Sequence, residues 1–190
     1  MVCRIGCIVG STSTRSINRK LLHGLMTIER ERDHAGAACT WEEIPITDLP
    51  LYTYDADDEY PPVAERLKAA IRESDALVIA TPEYNRSIPG ALKNAIDWAS
   101  RPYGESAWGG KPVGILGASV GTIGTAAAQQ HLRTILAYLD APALGQPEVF
   151  VQFTKDRFAD DGRVVDDGTR DLLASWLDAF HDWVGRHPRR

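Results

Sequence analysis

An α/β protein organised around one parallel sheet is predicted by two features of the sequence, short apolar runs that alternate with helical patterns and one run, Ala76 to Ala80, that is apolar throughout. Unbroken apolar runs of that length suit strands buried on both faces, as strands are when helices cross over each side of a sheet. The length of 190 residues suits one domain, taken here as 1–190.

Each element has its own signal. Arg4 to Val9 is β-branched and apolar and stops at Gly10, giving a first strand and a polar loop. Ile17, Leu21, Leu22, Leu25 and Met26 then recur at helical spacing. Trp41, Ile44 and Ile46 mark a second strand, and the Tyr- and Asp-rich stretch from Pro50 to Pro62 reads as a surface loop. Pro61 and Pro62 open a helix through Ala64, Leu67, Ala70 and Ile71. The third strand, Ala76 to Ala80, ends at Thr81-Pro82, and the helix after Pro89 uses Ala91, Leu92, Ala95, Ile96 and Trp98. Val113 to Leu116 forms a fourth strand, followed by a Gly-punctuated turn and a helix from about Thr125 to Leu139. A fifth strand is expected near Glu148 to Val151, and Leu172, Leu173, Trp176, Leu177, Phe180 and Val184 define a last amphipathic helix. Five such units suit a flavodoxin-like doubly wound sheet of strand order 2-1-3-4-5 with helices on both faces.

Composition narrows the partners. With 21 Lys+Arg against 26 Asp+Glu the net charge is -5, without the basic field of most nucleic-acid binders, so no nucleic-acid partner is expected. No apolar stretch approaches the ~20 residues of a membrane helix, and Met1 to Gly10 lacks the features of a signal peptide. The protein is expected to be cytoplasmic, with no membrane partner. Cys3 and Cys7, on one strand, would lie roughly 13 Å apart, too far for a disulfide, so the three cysteines are expected as thiols. The histidines (His23, His34, His131, His181, His187) are scattered and define no metal site.

In an open α/β sheet the ligand crevice lies beyond the carboxyl ends of the strands, which directs attention to three loops. The first, Gly10 to Asn18, offers hydroxyls, the Arg15 guanidinium and the amides of a helix start, a set suited to a phosphate monoester. Simple helix capping by Ser and Thr is the other reading. The loop has neither the Gly-Lys-Ser/Thr ending of a triphosphate loop nor G-x-G-x-x-G. The second, Thr81 to Gly90, brings Tyr84 and Asn85 between two prolines that stiffen it, either to hold a flat heterocycle or simply to enter a helix. The third, Gly117-Ala118-Ser119-Val120-Gly121, matches G-x-S-x-G and raises a serine hydrolase with Ser119 as nucleophile, which would need Asp140 or Asp156 together with His181.

Together, Gly10-Ser11 with Ser16 and Asn18, the run Thr81-Pro82-Glu83-Tyr84-Asn85-Arg86-Ser87-Ile88-Pro89-Gly90-Ala91-Leu92-Lys93-Asn94-Ala95-Ile96-Asp97-Trp98, and Gly117-Ala118-Ser119-x-Gly121 resemble the NADPH-dependent FMN reductase family, which includes quinone, chromate and azo-dye reductases. The resemblance covers most of the chain and weakens after about Leu139. It implies FMN as cofactor and NADPH as donor, with Ser11, Ser16 and Asn18 on the FMN phosphate. Pro82, Glu83, Tyr84 and Asn85 would line the isoalloxazine, and Ser119 with Gly121 would close its other edge. Ser13 stands where the family often has an arginine, and Arg15 is the nearby guanidinium that could reach the phosphate instead.

The implied chemistry resides on the flavin and needs no catalytic acid-base pair. Tyr84 and Arg86 would shape the open face toward NADPH and a small-molecule acceptor such as a quinone, free flavin, azo compound or chromate. Homodimers or homotetramers are implied too, with Trp98, Tyr103 and Trp108 either at the interface or packed within one subunit. A passive flavodoxin-type electron carrier and the Ser119 hydrolase are the alternatives.

Overall fold

Five parallel strands in the order β2-β1-β3-β4-β5 form the centre of the computed structural model, which describes residues 3–32 and 39–187. They are β1 (Arg4–Val9), β2 (Thr40–Glu43), β3 (Ala76–Ala80), β4 (Val113–Ser119) and β5 (Phe150–Gln152). The crossovers are α1 (Ile17–Glu31), α2 (Pro62–Glu73), α3 (Gly90–Ala99) and α4 (Ala126–Tyr138), and α5 (Asp167–Arg186) closes the fold. This is the predicted flavodoxin-like order. His34 lies outside the described residues.

Alternation along the strands divides the core. Cys7, Val9, Val78, Ala80 and Leu116 face α1 and α5, meeting Leu21, Leu22, Leu25, Leu173, Trp176 and Phe180. Ile8, Leu77, Ile79 and Ile115 face the other way, onto Leu67 and Ile71 of α2, Leu92 and Ile96 of α3 and Leu132 and Leu136 of α4. Gly114 is small because α5 lies so close: a Cβ there would come within 2.5 Å of the Trp176 ring.

Three boundaries differ from expectation. β2 stops at Glu43, although Ile44 and Ile46 remain buried as expected. Ile44 N still donates to Cys7 O at 2.7 Å, but Pro45 has no N–H with which to continue the ladder. β4 runs on to Ser119 because Gly117, Ala118 and Ser119 pair with Phe150, Val151 and Gln152. β5 accordingly begins two residues later than Glu148.

The cysteine expectation is corrected. Cys3 and Cys39 form a disulfide, with Cα atoms 4.4 Å apart. Distance along one strand separates Cys3 from Cys7, but the partner comes from the next strand: Arg4 pairs with Thr40 in parallel register, so the residues preceding them face each other. Cys7 is the buried free thiol. Trp98 and Trp108 pack within the subunit, their indole N–H groups donating to Pro50 O and Ile96 O, while Tyr103 is exposed.

Candidate functional site

The strand order reverses between β1 and β3, whose following helices α1 and α3 pack on opposite faces of the sheet, and the loops after β1, β3 and β4 meet at that point. In the first loop Ser11 Oγ accepts from Ser13 N (3.3 Å), Ser13 Oγ from Arg15 N (3.2 Å), and Ser16 Oγ from Arg19 N (3.2 Å) as the N-cap of α1. Capping and anion binding are therefore compatible. Each hydroxyl spends a lone pair on a backbone amide and keeps its proton to donate elsewhere. The Arg15 guanidinium has no hydrogen-bond or ion-pair partner among the described residues and lies at the cavity wall. The amides of Ile17 and Asn18 belong to the first helical turn, where no helix carbonyl can accept them.

Asn18 is buried and bridges elements. Its Nδ2 donates to Ala118 O (2.9 Å) and its Oδ1 accepts from Ala118 N (2.8 Å). β3 ends at Ala80, so β4 has lost its neighbour on that side by Ala118, and the Asn18 amide takes the place of the missing strand. Its second amide hydrogen remains for a ligand.

The second loop is a tight hairpin. Tyr84 and Ser87 exchange both backbone hydrogen bonds (2.9 and 3.0 Å) around Asn85 and Arg86, whose φ values of 51° and 64° are those of a type I′ turn. Asn tolerates that conformation; Arg does so at a cost. Glu83, with a side chain 7% exposed, braces the hairpin from below: Oε2 accepts from Ala128 N at the start of α4 (3.1 Å) and Oε1 from Arg86 (3.0 Å). Ser87 Oγ lies 3.1 Å from His131 Nδ1.

The third loop depends on small residues. A Cβ on Gly117 would fall 2.0 Å from Thr125 Oγ1 and 2.5 Å from Thr81 O, so glycine allows β4 to pass between the second loop and α4. Ser119 Oγ donates to Gly121 O (3.0 Å), and Gln152 holds the carbonyl of Val120 (3.2 Å).

These loops enclose an open cavity of about 250 Å³ lined by predicted residues Ser11, Ser13, Arg15, Ser16, Asn18, Pro82, Glu83, Tyr84 and Ser119. Asn85, Arg86 and Gly121 lie next to it in sequence but are not on its wall. Ile17, Ala118 and Val120 also line it; they fall inside the loops the sequence singles out, but as apolar neighbours of the polar positions they are not among the predicted ligand groups. Arg19 was missed as well. Its side chain donates to Ser13 O (3.2 Å) while pairing with Glu43, bracing the first loop. A cleft of about 290 Å³ beside Arg72, Asp75 and Lys111 lies at the opposite end of the sheet, where the connections from α2 and α3 enter β3 and β4, away from the carboxyl ends of the strands.

The first loop offers the cavity hydroxyls, a guanidinium and helix-start amides, which suit a phosphate monoester, while Pro82, Tyr84, Ala118 and Val120 offer apolar surface and one ring, which suit a heterocycle. Drug-sized ligands usually occupy roughly 300–1,000 Å³, so a ligand with both parts must leave one face open. The hydrolase arrangement is not built. Among the described histidines, His181 bonds Glu29, His131 bonds Ser87, His187 bonds Trp183 O and His23 faces Glu43, so none reaches Ser119.

A doubly wound parallel sheet of this strand order, with the loops after β1, β3 and β4 gathered at its switch point, is the flavodoxin-like architecture. The chain belongs to the NADPH-dependent FMN reductase family, whose family model matches residues 3–156. It is 45% identical to a 2-hydroxy-1,4-benzoquinone reductase of Burkholderia sp over 184 residues, 97% of each chain. A quinone reductase of Pseudomonas putida is 41% identical over 96% of this chain and 95% of its own. Among solved structures, FerB, a flavoenzyme NAD(P)H:(acceptor) oxidoreductase from Paracoccus denitrificans, superposes with a TM-score of 0.90 at 40% identity, covering 98% of this chain and 100% of FerB. The protein is accordingly an enzyme, with FMN as its cofactor and a nicotinamide nucleotide as electron donor.

Proposed function

We propose that the enzyme moves a hydride from NADPH, by way of FMN seated in this cavity, to a quinone. The observation that carries the site assignment is the set of loop hydroxyls that accept from backbone amides and so keep their protons to donate, at the mouth of a cavity where the strand order reverses. The choice of a quinone rests on the relative that shares 45% identity over nearly its whole length.

Ser11, Ser13 and Ser16 donate to the FMN phosphate, Arg15 adds charge, and Asn18 contributes its remaining amide hydrogen while holding β4 in place. Pro82, Glu83, Tyr84 and Asn85 border the ring through backbone and side-chain contacts, and Ser119 with Gly121 borders its other edge. FMN, when bound, supplies the atom that takes and gives the hydride. The protein orients the reactants and limits access, and this chemistry requires no nucleophile paired with a base. Tyr84, 55% exposed, and Arg86, beyond the cavity wall, meet the nicotinamide nucleotide and then the acceptor on the open face. Free flavins, azo compounds and chromate fit the same open face.

Within this reading the enzyme acts in the cytoplasm as a homodimer or homotetramer. No described helix is long and apolar enough to cross a membrane. Leu51, Tyr54, Val120 and Ile123 are exposed on loops at the cavity edge of the sheet, apolar surface of the kind that subunit contacts cover. The acceptor assignment is tested by following NADPH oxidation by the FMN-loaded enzyme with and without 1,4-benzoquinone. Stimulation well above the rate in air is expected; an unchanged rate would exclude a quinone as acceptor.

A further inference from the structure

The disulfide lies at the opposite edge of the sheet from the cavity, yet a line of contacts joins the two. Cys3 precedes β1 and Cys39 precedes β2 by one residue, facing each other across the parallel register, and both are partly exposed, so a small thiol reagent can reach them. β2 is an edge strand of four residues, hydrogen-bonded on one side only. It ends at Glu43, whose carboxylate receives Arg19 Nε (3.0 and 3.3 Å) and pairs with its Nη2 (2.9 Å). Arg19 Nη1 donates to Ser13 O (3.2 Å), and the amide of Arg19 donates to Ser16 Oγ. The Ser13 carbonyl also accepts from Ser16 N (3.2 Å), so two donors occupy an oxygen that would otherwise repel an anion in this loop.

We propose that Cys3 and Cys39 form a redox-responsive staple whose state is transmitted along β2, through Glu43 and Arg19, to the first loop. The inference rests on the reading that this loop holds the FMN phosphate. With the staple closed, β2 is fixed covalently at its start and by Ile44 N to Cys7 O at its end. With it open, the start is held by the contacts of Thr40 with Cys3 O, and Glu43 has more freedom to leave Arg19. Closure by a low-molecular-weight disulfide takes two exchanges. One cysteine thiolate attacks the reagent and releases one small thiol; the second cysteine then displaces the other, so the protein dithiol is oxidised as the reagent is reduced to two thiols. A dithiol reductant reverses both steps. The bond spans a sequence separation of 36 residues and encloses β1, the first loop and α1, so it also restricts the unfolded chain.

The test compares full-length protein oxidised with glutathione disulfide, the same protein reduced with dithiothreitol, and the variants C3S/C39S and Glu43→Gln. Alkylation and mass spectrometry establish the thiol state, and fluorescence titration gives affinities for FMN and riboflavin. Loss of one charge-assisted brace predicts FMN binding about 3–10-fold weaker in the reduced protein and in C3S/C39S, with riboflavin unchanged. Glu43→Gln should bind FMN weakly in both states. The oxidised form should melt about 8–16 °C above the reduced one. Failure of Cys3 and Cys39 to couple would overturn the proposal. So would equal FMN affinity in both states while FMN is still preferred to riboflavin, an outcome that leaves the phosphate reading intact. Equal affinity for FMN and riboflavin in every state would overturn the phosphate reading and the proposal with it.

Discussion

Replacing Asn18 by Ala separates the two tasks of the first loop. In the native protein the side-chain amide makes both of its hydrogen bonds to Ala118, at 2.8 and 2.9 Å, where β4 has no neighbouring strand. Alanine removes both and leaves an N–H and a C=O without partners in a buried position. Each such group costs about 1–3 kcal/mol, so a loss of about 3 kcal/mol is expected, or a Tm lower by about 6–12 °C for a chain of this size. Ser16→Ala, which removes only a helix cap, should cost about 1 kcal/mol and lower Tm by about 2–4 °C. Both variants should bind FMN more weakly than wild type, but only Asn18→Ala should be markedly destabilised without ligand. Thermal unfolding of the apoprotein by far-ultraviolet circular dichroism distinguishes them. A Tm for Asn18→Ala no lower than that of Ser16→Ala would refute the bracing role.

Other perturbations follow the same logic. Arg86→Gly relieves a residue held at φ 64° but also removes its pair with the buried Glu83 carboxylate (3.0 Å), so the two effects oppose each other and stability should change by less than about 1 kcal/mol, while the KM for NADPH should rise severalfold; an unchanged KM would remove Arg86 from the donor site. Gly117→Ala places a methyl 2.0 Å from Thr125 Oγ1 and should cost about 1–3 kcal/mol in chemical denaturation; a neutral result would mean that the β4 tip is free to move. Burial pushes the Cys7 thiol up from 9.0 to about 12, with the Glu43 carboxylate adding to the shift. Cys7 should therefore resist thiol reagents in the folded protein at neutral pH and react on unfolding. Because the folded state keeps this proton while the unfolded state loses it, the contribution of Cys7 to stability is full below pH 9 and declines between pH 9 and 12. Rapid labelling of Cys7 in native protein would contradict that burial.

What could be read in the sequence follows from how local each signal is. Ala76–Ala80 was legible to the residue, because an unbroken apolar run between polar punctuation has few other uses. Ser16 was legible both as a cap and as a candidate ligand group, and it performs the first task without giving up the proton needed for the second. Pro45 could have marked the end of β2, since a residue without an N–H cannot continue a ladder. Other features depend on residues far apart in the chain. The Cys3–Cys39 bond requires knowing which strand lies beside β1, and the Asn18–Ala118 bridge spans 100 residues. Glu83 looked like a ring neighbour within a loop, whereas its placement under the start of α4 appears only once β3 and β4 are paired. Arg19 carries no signal in the sequence, because its partner Glu43 comes from the next strand.

An anaerobic spectral titration tests most directly whether two electrons pass from NADPH through bound FMN to a quinone. FMN-loaded enzyme is mixed with one equivalent of NADPH, then with one equivalent of 1,4-benzoquinone, and the flavin absorption is followed at each step. Bleaching by NADPH and full recovery on quinone addition is the predicted result. Bleaching without recovery would contradict the quinone assignment, and an unbleached flavin would contradict NADPH as donor.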